Sequence, residues 1–355
     1  MKILIIQQKM IGDVLTSSIL FEALRQKYPD AQLDYLINTH TYPVVKNNPF
    51  ISNFIFFTNE EEKSKKALYT IAKQIKSSKY DVVIDVYSKF SSNFITYLSS
   101  AKVKISKHKW YSSFIYSYTF NEASQPKTDA GLAIENRLQL LEPILKNKPK
   151  IFRPKIYLTK KEIEESKTFL IKNNVDLSEP LFMISVLGSQ KNKTYPFEYM
   201  AKIIDIIAKN NGGQILFNYI PKQKEDALAI LNFCKPETQK HVLFNVFGKS
   251  LREFIAITKH CNAVIGNEGG AINMAKALNI DTFTIFSPWV IKEAWNMFDN
   301  DTSHVSIHLK DVKPELYNTA STIEIKKKVL NAYNAFSPNL IIPKLKVFLN
   351  LQRKK

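Results

Sequence analysis

Cysteine is nearly absent from this sequence of 355 residues, with Cys234 and Cys261 the only two. Neither stands in a CxxC or Cys/His spacing, so a disulfide framework and a thiolate zinc site are both excluded, and a reducing cytoplasm is the simplest setting. The six histidines are scattered and include no HExxH, which removes a common sequence signature of metal catalysis, and no metal is expected. Long apolar runs are lacking as well. No stretch approaches the roughly 18 uncharged apolar residues of a membrane span, since Lys89 and Lys109 bracket the most hydrophobic segment of the first half. The opening run Ile3-Leu4-Ile5-Ile6 is too short for a signal peptide, is followed by no small-residue cleavage site, and reads as a first strand. The expected location is the cytoplasm, with at most peripheral contact at the inner face of the cytoplasmic membrane. Repeats of 20 to 50 residues and low-complexity tracts are also missing.

Acidic side chains are the remaining shortage. Fifty Lys and Arg against 32 Asp and Glu leave a formal charge of +18, which must produce an electropositive surface. Nucleic acid, an anionic membrane leaflet and a phosphorylated or carboxylated substrate are the partners that answer to such a charge. The lysines are dispersed rather than gathered in a basic arm or recognition helix, which argues against nucleic acid. A solvated, lysine-rich surface that serves solubility is the plainer reading.

What is present is an ordinary globular composition, 45% hydrophobic, long enough for two domains. Strand-like apolar runs alternate with helix-period segments, the pattern of a parallel α/β fold. Strands are expected at Ile3–Ile6, Leu33–Ile37, Phe54–Phe57, Val82–Val86 and Val103–Ile105. Leu15, Ile19 and Ala23 recur at helical spacing until Tyr28-Pro29-Asp30 stops the helix. The Lys/Pro-rich stretch Lys146 to Pro154 marks a domain boundary, giving expected domains at 1–150 and 151–325. The second half repeats the alternation, with strands at Phe182–Leu187, Ile215–Tyr219, Val242–Phe244, Ala263–Ile265 and Thr282–Phe286. A last helical segment, 326–355, interrupted by Ser337-Pro338 and Pro343, is expected to pack back on the first domain. Open parallel sheets bind ligands beyond the carboxyl ends of their strands, so the active site is expected between the two Rossmann-like domains.

Four segments carry chemistry. After the first strand comes Gly12-Asp13: Gly12 permits a tight strand-to-helix turn, and Asp13 is either an N-cap or a general base for an acceptor hydroxyl. After the first strand of the second half comes Gly188-Ser189-Gln190-Lys191-Asn192-Lys193-Thr194-Tyr195-Pro196. Its free amides, hydroxyl and Lys193 suit a diphosphate, a solvated surface loop being the alternative, and the Walker A spacing is absent. The third is Gly266-Asn267-Glu268-Gly269-Gly270-Ala271-Ile272-Asn273. A glycine pair before a helix either lets an anion reach bare amides or lets the helix pack close on the sheet. Phe286-Ser287-Pro288-Trp289 ends a strand at the same edge, as a wall of a donor pocket or a simple turn. The fourth is Lys102, Lys104, Lys107 and Lys109 with Trp110, Tyr111 and Tyr116, either a basic, aromatic lip for a charged saccharide or a set of lysines guarding an edge strand.

Lys9-Met10-Ile11-Gly12-Asp13-Val14-Leu15, Asn48-Pro49, Lys193-Thr194-Tyr195-Pro196, Gly266-Asn267-Glu268-Gly269-Gly270 and Phe286-Ser287-Pro288 occur in one order from the first strand to about Trp295. In that order they resemble the lipopolysaccharide heptosyltransferases of glycosyltransferase family 9. The resemblance implies a GT-B fold, an N-terminal acceptor domain, a C-terminal domain binding ADP-heptose, and inverting transfer to the lipid A-core without a metal. By position it makes Asp13 the catalytic base. Gly12 and, on the lip reading of the fourth segment, Lys102, Lys104, Lys107 and Lys109 are assigned to the acceptor. Gly188, Ser189 and the catalytic Lys193 match the diphosphate loop, although a hydroxyl residue is common where Gly188 stands. Glu225 matches an acidic residue that holds the nucleoside. Glu268, Gly269 and Gly270 stand for the usual Asp-Ser/Thr-Gly and Asn273 for a common histidine, departures that touch sugar and phosphate contacts. The rival readings are a relative using another nucleotide sugar or glycan, a nucleotide-sugar epimerase of similar build, and a non-catalytic nucleotide-sugar-binding protein.

Overall fold

In the computed structural model, which describes residues 1–147, 149–318 and 322–352, strands and helices alternate through two units, Met1–Tyr157 and Leu158–Lys355. Position 148 of the expected linker and positions 353–355 of the expected C-terminal segment lie outside the described residues.

The first unit holds six parallel strands: β1 Lys2–Ile6, β2 Gln32–Asn38, β3 Asn53–Phe57, β4 Val82–Asp85, β5 Val103–Lys107 and β6 Tyr118–Phe120. Their order is β3-β2-β1-β4-β5-β6. Ile3 to Ile6 is apolar without interruption because helices cover both faces of a central parallel strand, and all four side chains are buried. The covering helices include α1 Ile11–Ser17, α2 Ile19–Lys27, α3 Lys65–Ser77, α4 Phe90–Leu98 and α5 Leu132–Leu138. In α3, Leu68, Ile71, Ala72 and Ile75 fall three or four apart and pack with Leu4, Ile6, Leu36 and Val83. Strand order reverses between β1 and β4, and the carboxyl ends at such a reversal are where open sheets bind ligands.

The second unit has five parallel strands, β7 Leu181–Ser185, β8 Gln214–Phe217, β9 Ala263–Asn267, β10 Asp281–Ile285 and β11 His304–Ile307, in the order β11-β10-β9-β7-β8. Here the reversal falls between β7 and β9. Its helices include α6 Lys160–Lys172, α7 Phe197–Asn211, α8 Lys224–Phe233, α9 Leu251–Thr258, α10 Gly270–Ala277, α11 Val329–Ala335 and α12 Pro338–Gln352.

Some sequence expectations change. The helix expected through Leu15 and Ala23 is two helices meeting at Ser18. Val242–Phe244 forms only one bridge, Ile215 to Val242, because the chain turns at once, Val246 N–H donating to Leu243 O. β6 and β11 were missed; one is three residues long and the other mixes His and Ser with Val and Ile. β5 lies between β4 and β6, so its lysines do not guard an edge. The boundary falls at 157 rather than 150, because Phe152 and Ile156 are buried, Lys155 pairs with Glu22 at 2.8 Å, and Asn47 Nδ2 donates to Tyr157 O at 3.5 Å. The segment expected to return to the first domain packs within the second unit. α12 lies along α7 and buries Ile341, Leu345, Phe348 and Leu349 in the core around β10, and Gln352 Nε2 donates to Asp281 Oδ2 at 2.7 Å.

Candidate active site

At the carboxyl end of β1 the chain passes through buried Gln7 and Gln8 into α1. Met10 is the N-cap, extended and without a side-chain cap, so Asp13, the third residue of the helix, is not the cap that its position in the sequence allows. Its carboxylate stands in the first turn, where the helix dipole favours negative charge. Asp13 Oδ1 accepts from Arg137 Nη2 at 2.7 Å. The same guanidinium donates through Nε to Ser17 Oγ at 2.9 Å and through Nη1 to Ala133 O at 2.7 Å. Three directed bonds hold the fork still, so one carboxylate oxygen has a fixed position. Gly12 is helical, inside α1, and the turn draws nothing from glycine's wider conformational range.

One strand over, β4 ends at Asp85, fully buried. Asp85 Oδ1 accepts from Ser88 N–H at 2.7 Å, and the Tyr116 hydroxyl lies 2.7 Å from both Asp85 Oδ2 and Asn93 Oδ1. Burial raises the Asp85 carboxyl to about 6 against these bonds. Tyr116 is therefore a core group and leaves the expected basic, aromatic lip. Of the lip lysines, Lys104 donates to Tyr97 O at 3.1 Å and burial lowers its pKa; Lys107 pairs with Glu122 at 3.4 Å; Lys109 donates to Ser88 O. Lys102 is exposed.

In the second unit the loop after β7 closes on itself at Gly188. Its N–H donates to Thr194 Oγ1 at 3.1 Å and its carbonyl accepts from Gln223 Nε2 at 3.2 Å. A Cβ at 188 would stand 2.3 Å from Lys193 O, closer than any contact allows, so only glycine fits this closure. Ser189 is exposed at the tip. Three donors converge on Asn192 O: Ser287 Oγ at 2.9 Å, Trp289 Nε1 at 2.8 Å and Tyr333 OH at 3.5 Å. Phe286-Ser287-Pro288-Trp289 thus buttresses the loop from the end of β10.

Lys193 Nζ then reaches Glu268 Oε1 at 3.1 Å and lies 5.2 Å from the Trp289 ring centre. The pair is an ion pair without an aligned hydrogen bond, since Glu268 Oε1 is buried with no donor directed at it. Glu268 follows Asn267, the end of β9, which spends its whole side chain across the strand reversal. Asn267 Nδ2 donates to Ser185 O and Val186 O, both at 2.9 Å, and Oδ1 accepts from Tyr195 N–H at 2.7 Å. Gly269 caps α10 at φ 146, a backbone closed to other residues, and no side chain caps the helix. A helix start of this kind can receive an anion on its first-turn amides. Asn273 is half-buried on the next turn, whereas Glu225 sits exposed on the first turn of α8.

The structure thus gathers Gly188, Lys193, Glu268, Gly269 and Gly270 at the β7/β9 reversal, with Ser189 at the loop tip, and places Gly12 and Asp13 at the β1/β4 reversal. Sequence reasoning assigned no role to Arg137, Asn267 or Asp85. Arg137 left a signal: only five of the 50 Lys and Arg residues are arginine, and fork-shaped cations are used where bonds must be directed. Among the described residues no group of three or more His, Cys, Asp and Glu is arranged to hold a metal ion. No helix there is long and apolar enough to cross a membrane.

Residues 68–315 match the family model described as glycosyltransferase family 9 (heptosyltransferase). Lipopolysaccharide heptosyltransferase 3 of Escherichia coli is 22% identical over 288 residues, 78% of this chain and 80% of that protein. A family 9 glycosyl transferase from Veillonella parvula superposes with a TM-score of 0.76 at 16% identity, covering 96% of this chain and 97% of that one. A heptosyltransferase of Escherichia coli solved with ADP superposes with a TM-score of 0.63 at 16% identity, covering 94% and 99%. Two parallel-sheet α/β domains in one chain, shared with these structures, are the GT-B fold expected from the sequence.

Proposed function

This chain belongs to glycosyltransferase family 9, and on that premise we propose that it moves a heptose from ADP-heptose to the lipopolysaccharide inner core, with inversion and without a metal ion. The enzyme works at the cytoplasmic side of the membrane, on a donor made in the cytoplasm and an anionic, lipid-borne acceptor. The observation that carries this reading is the chemistry at the two strand reversals. One bears a carboxylate locked by Arg137, and the other bears a lysine beside an uncapped helix start.

Asp13 removes the proton from the acceptor hydroxyl as its oxygen attacks the anomeric carbon. The bond from that carbon to the diphosphate breaks on the opposite face, and the electron pair leaves with ADP. Lys193, Ser189 and the amides at the start of α10 receive the growing negative charge on the diphosphate. Gly188 keeps the loop closed enough for Lys193 to reach. Glu268 holds Lys193 before donor arrives and contacts sugar or ribose hydroxyls afterward, and Asn273 of α10 joins it in those contacts. Glu225 contacts the nucleoside. Gly12, Lys102, Lys104, Lys107 and Lys109 line the approach of the acceptor phosphates. The E. coli heptosyltransferase solved with ADP supports the choice of nucleotide.

A mass-spectrometric transfer assay tests this. ADP-heptose and a lipid A-core acceptor should yield acceptor heavier by one heptose, with equimolar ADP, unchanged by EDTA, and with inverted configuration by NMR. Donor altered in the absence of acceptor marks an epimerase; binding without product under any acceptor marks a sensor; transfer from another nucleotide sugar alone removes ADP-heptose.

A further inference from the structure

Residues 86–120 contain five lysines, 89, 102, 104, 107 and 109, and not one aspartate or glutamate, together with ten aromatic residues. The fold turns several of these rings outward at one edge of the first sheet. Phe90, Phe94 and Tyr97 are spaced four and three apart on α4, so they share a face; Phe90 and Phe94 stack at 6.5 Å, and Phe90 is 78% exposed. The excursion after β5 carries Trp110, 85% exposed, Tyr111 against it at 5.7 Å, and Phe114, 79% exposed. The turn Ser113–Ile115 packs on α4, and Lys109 Nζ, bonded to Ser88 O just before α4, lies 5.8 Å from the Tyr111 ring centre. Two chain segments are therefore joined into one aromatic surface studded with lysine.

We propose that this surface, Phe90, Tyr97, Trp110, Tyr111 and Phe114 with Lys89 and Lys102, docks the enzyme on an anionic lipid bilayer. Water-exposed Trp, Tyr and Phe fit the interfacial layer of a membrane, where an amphipathic ring is half wet and half apolar. Lys89 and Lys102, in a stretch of sequence without aspartate or glutamate, add attraction to anionic headgroups that is screened by salt. A second copy of the chain is a poor occupant: an isologous contact would set the same lysines against one another. The surface runs along α4, from Phe90 and Trp110 near the carboxyl ends of β4 and β5, the end of the sheet from which α1 and Asp13 also leave, to Tyr97 and Lys102 near the amino end of β5. The docking goes beyond the transferase reading and is tested without any glycan.

Vesicle sedimentation decides it, with phosphatidylcholine alone against phosphatidylcholine and phosphatidylglycerol at two to one. The wild-type chain should bind only the anionic vesicles and lose binding at high salt. Brominated lipid should quench its fluorescence, an effect absent in Trp110→Phe. Trp110→Ser with Phe114→Ser should weaken binding by about tenfold or more, since each removes apolar surface from the lipid, while leaving the melting temperature unchanged. Lys89→Gln with Lys102→Gln should weaken binding to the anionic vesicles and reduce its dependence on salt. Equal binding by the aromatic double variant, equal binding to neutral vesicles, or dimerisation that this variant abolishes would each overturn the proposal. Failed transfer with intact vesicle binding would count against the activity alone.

Discussion

Replacing Asn267 by alanine should loosen the second unit at the point where the loop from Gly188 to Pro196 is tied. The side chain makes three bonds across the β7/β9 reversal, to Ser185 O, Val186 O and Tyr195 N–H, and it is 1% exposed. Three buried bonds at about 1 kcal/mol each, with backbone groups left partnerless and a small void, sum to about 3–5 kcal/mol. The assay is guanidinium unfolding followed by tryptophan fluorescence in the Trp110→Phe, Trp295→Phe background, where the signal is that of Trp289, which bonds to the same loop through Asn192 O. ADP affinity measured by calorimetry should fall in parallel, since Tyr195 follows Lys193 by two residues. Asn267→Asp sharpens the test. One oxygen can still accept from Tyr195, but the other faces two carbonyl oxygens at 2.9 Å, so the ionised form is repelled and the folded-state pKa of the new carboxyl rises. Stability should be greatest below the ordinary carboxylate range and be lost as pH rises through that folded value. An alanine variant with the wild-type midpoint, or an aspartate variant with no pH dependence of its own, would refute the argument.

Arg137→Met keeps the stem but removes the bonds to Asp13, Ser17 and Ala133; kcat should drop about tenfold to a hundredfold through misplacement of the carboxylate. Donor KM should stay unchanged, and added guanidinium should restore part of the rate in Arg137→Ala. Asp85→Asn addresses pH. Burial lifts the Asp85 carboxyl from 3.8 to about 6, so stability from its protonated form is full below 3.8 and lost as pH rises through about 6. The lift corresponds to about 3 kcal/mol, and urea midpoints at acid and neutral pH should show a correspondingly flatter dependence in the variant.

Most of the architecture was legible in the sequence because parallel strands covered on both faces must be apolar runs, as Ile3–Ile6 and Ala263–Ile265 are. β6 and β11 escaped because short or polar-alternating outer strands carry little of that signal. The glycines and Lys193 stood out because they fall in short segments directly after β7 and β9, which the fold brings together at one strand reversal. Arg137 and Asp13 are 124 positions apart, and no local pattern links residues that meet only after folding. Tyr116 misled for the opposite reason: beside exposed Trp110 in sequence, it turns inward to Asp85. The boundary shifted because Phe152 and Ile156, in a proline-rich stretch without periodicity, are nonetheless buried.

The direct trial of the account compares wild type with Asp13→Asn, which retains an oxygen for Arg137 and so leaves the local bond in place. With saturating donor and lipid A-core acceptor, heptose transfer by the variant should fall by roughly two to four orders of magnitude, with ADP affinity by calorimetry unchanged. Transfer at near the wild-type rate would contradict the assignment of Asp13 as the base.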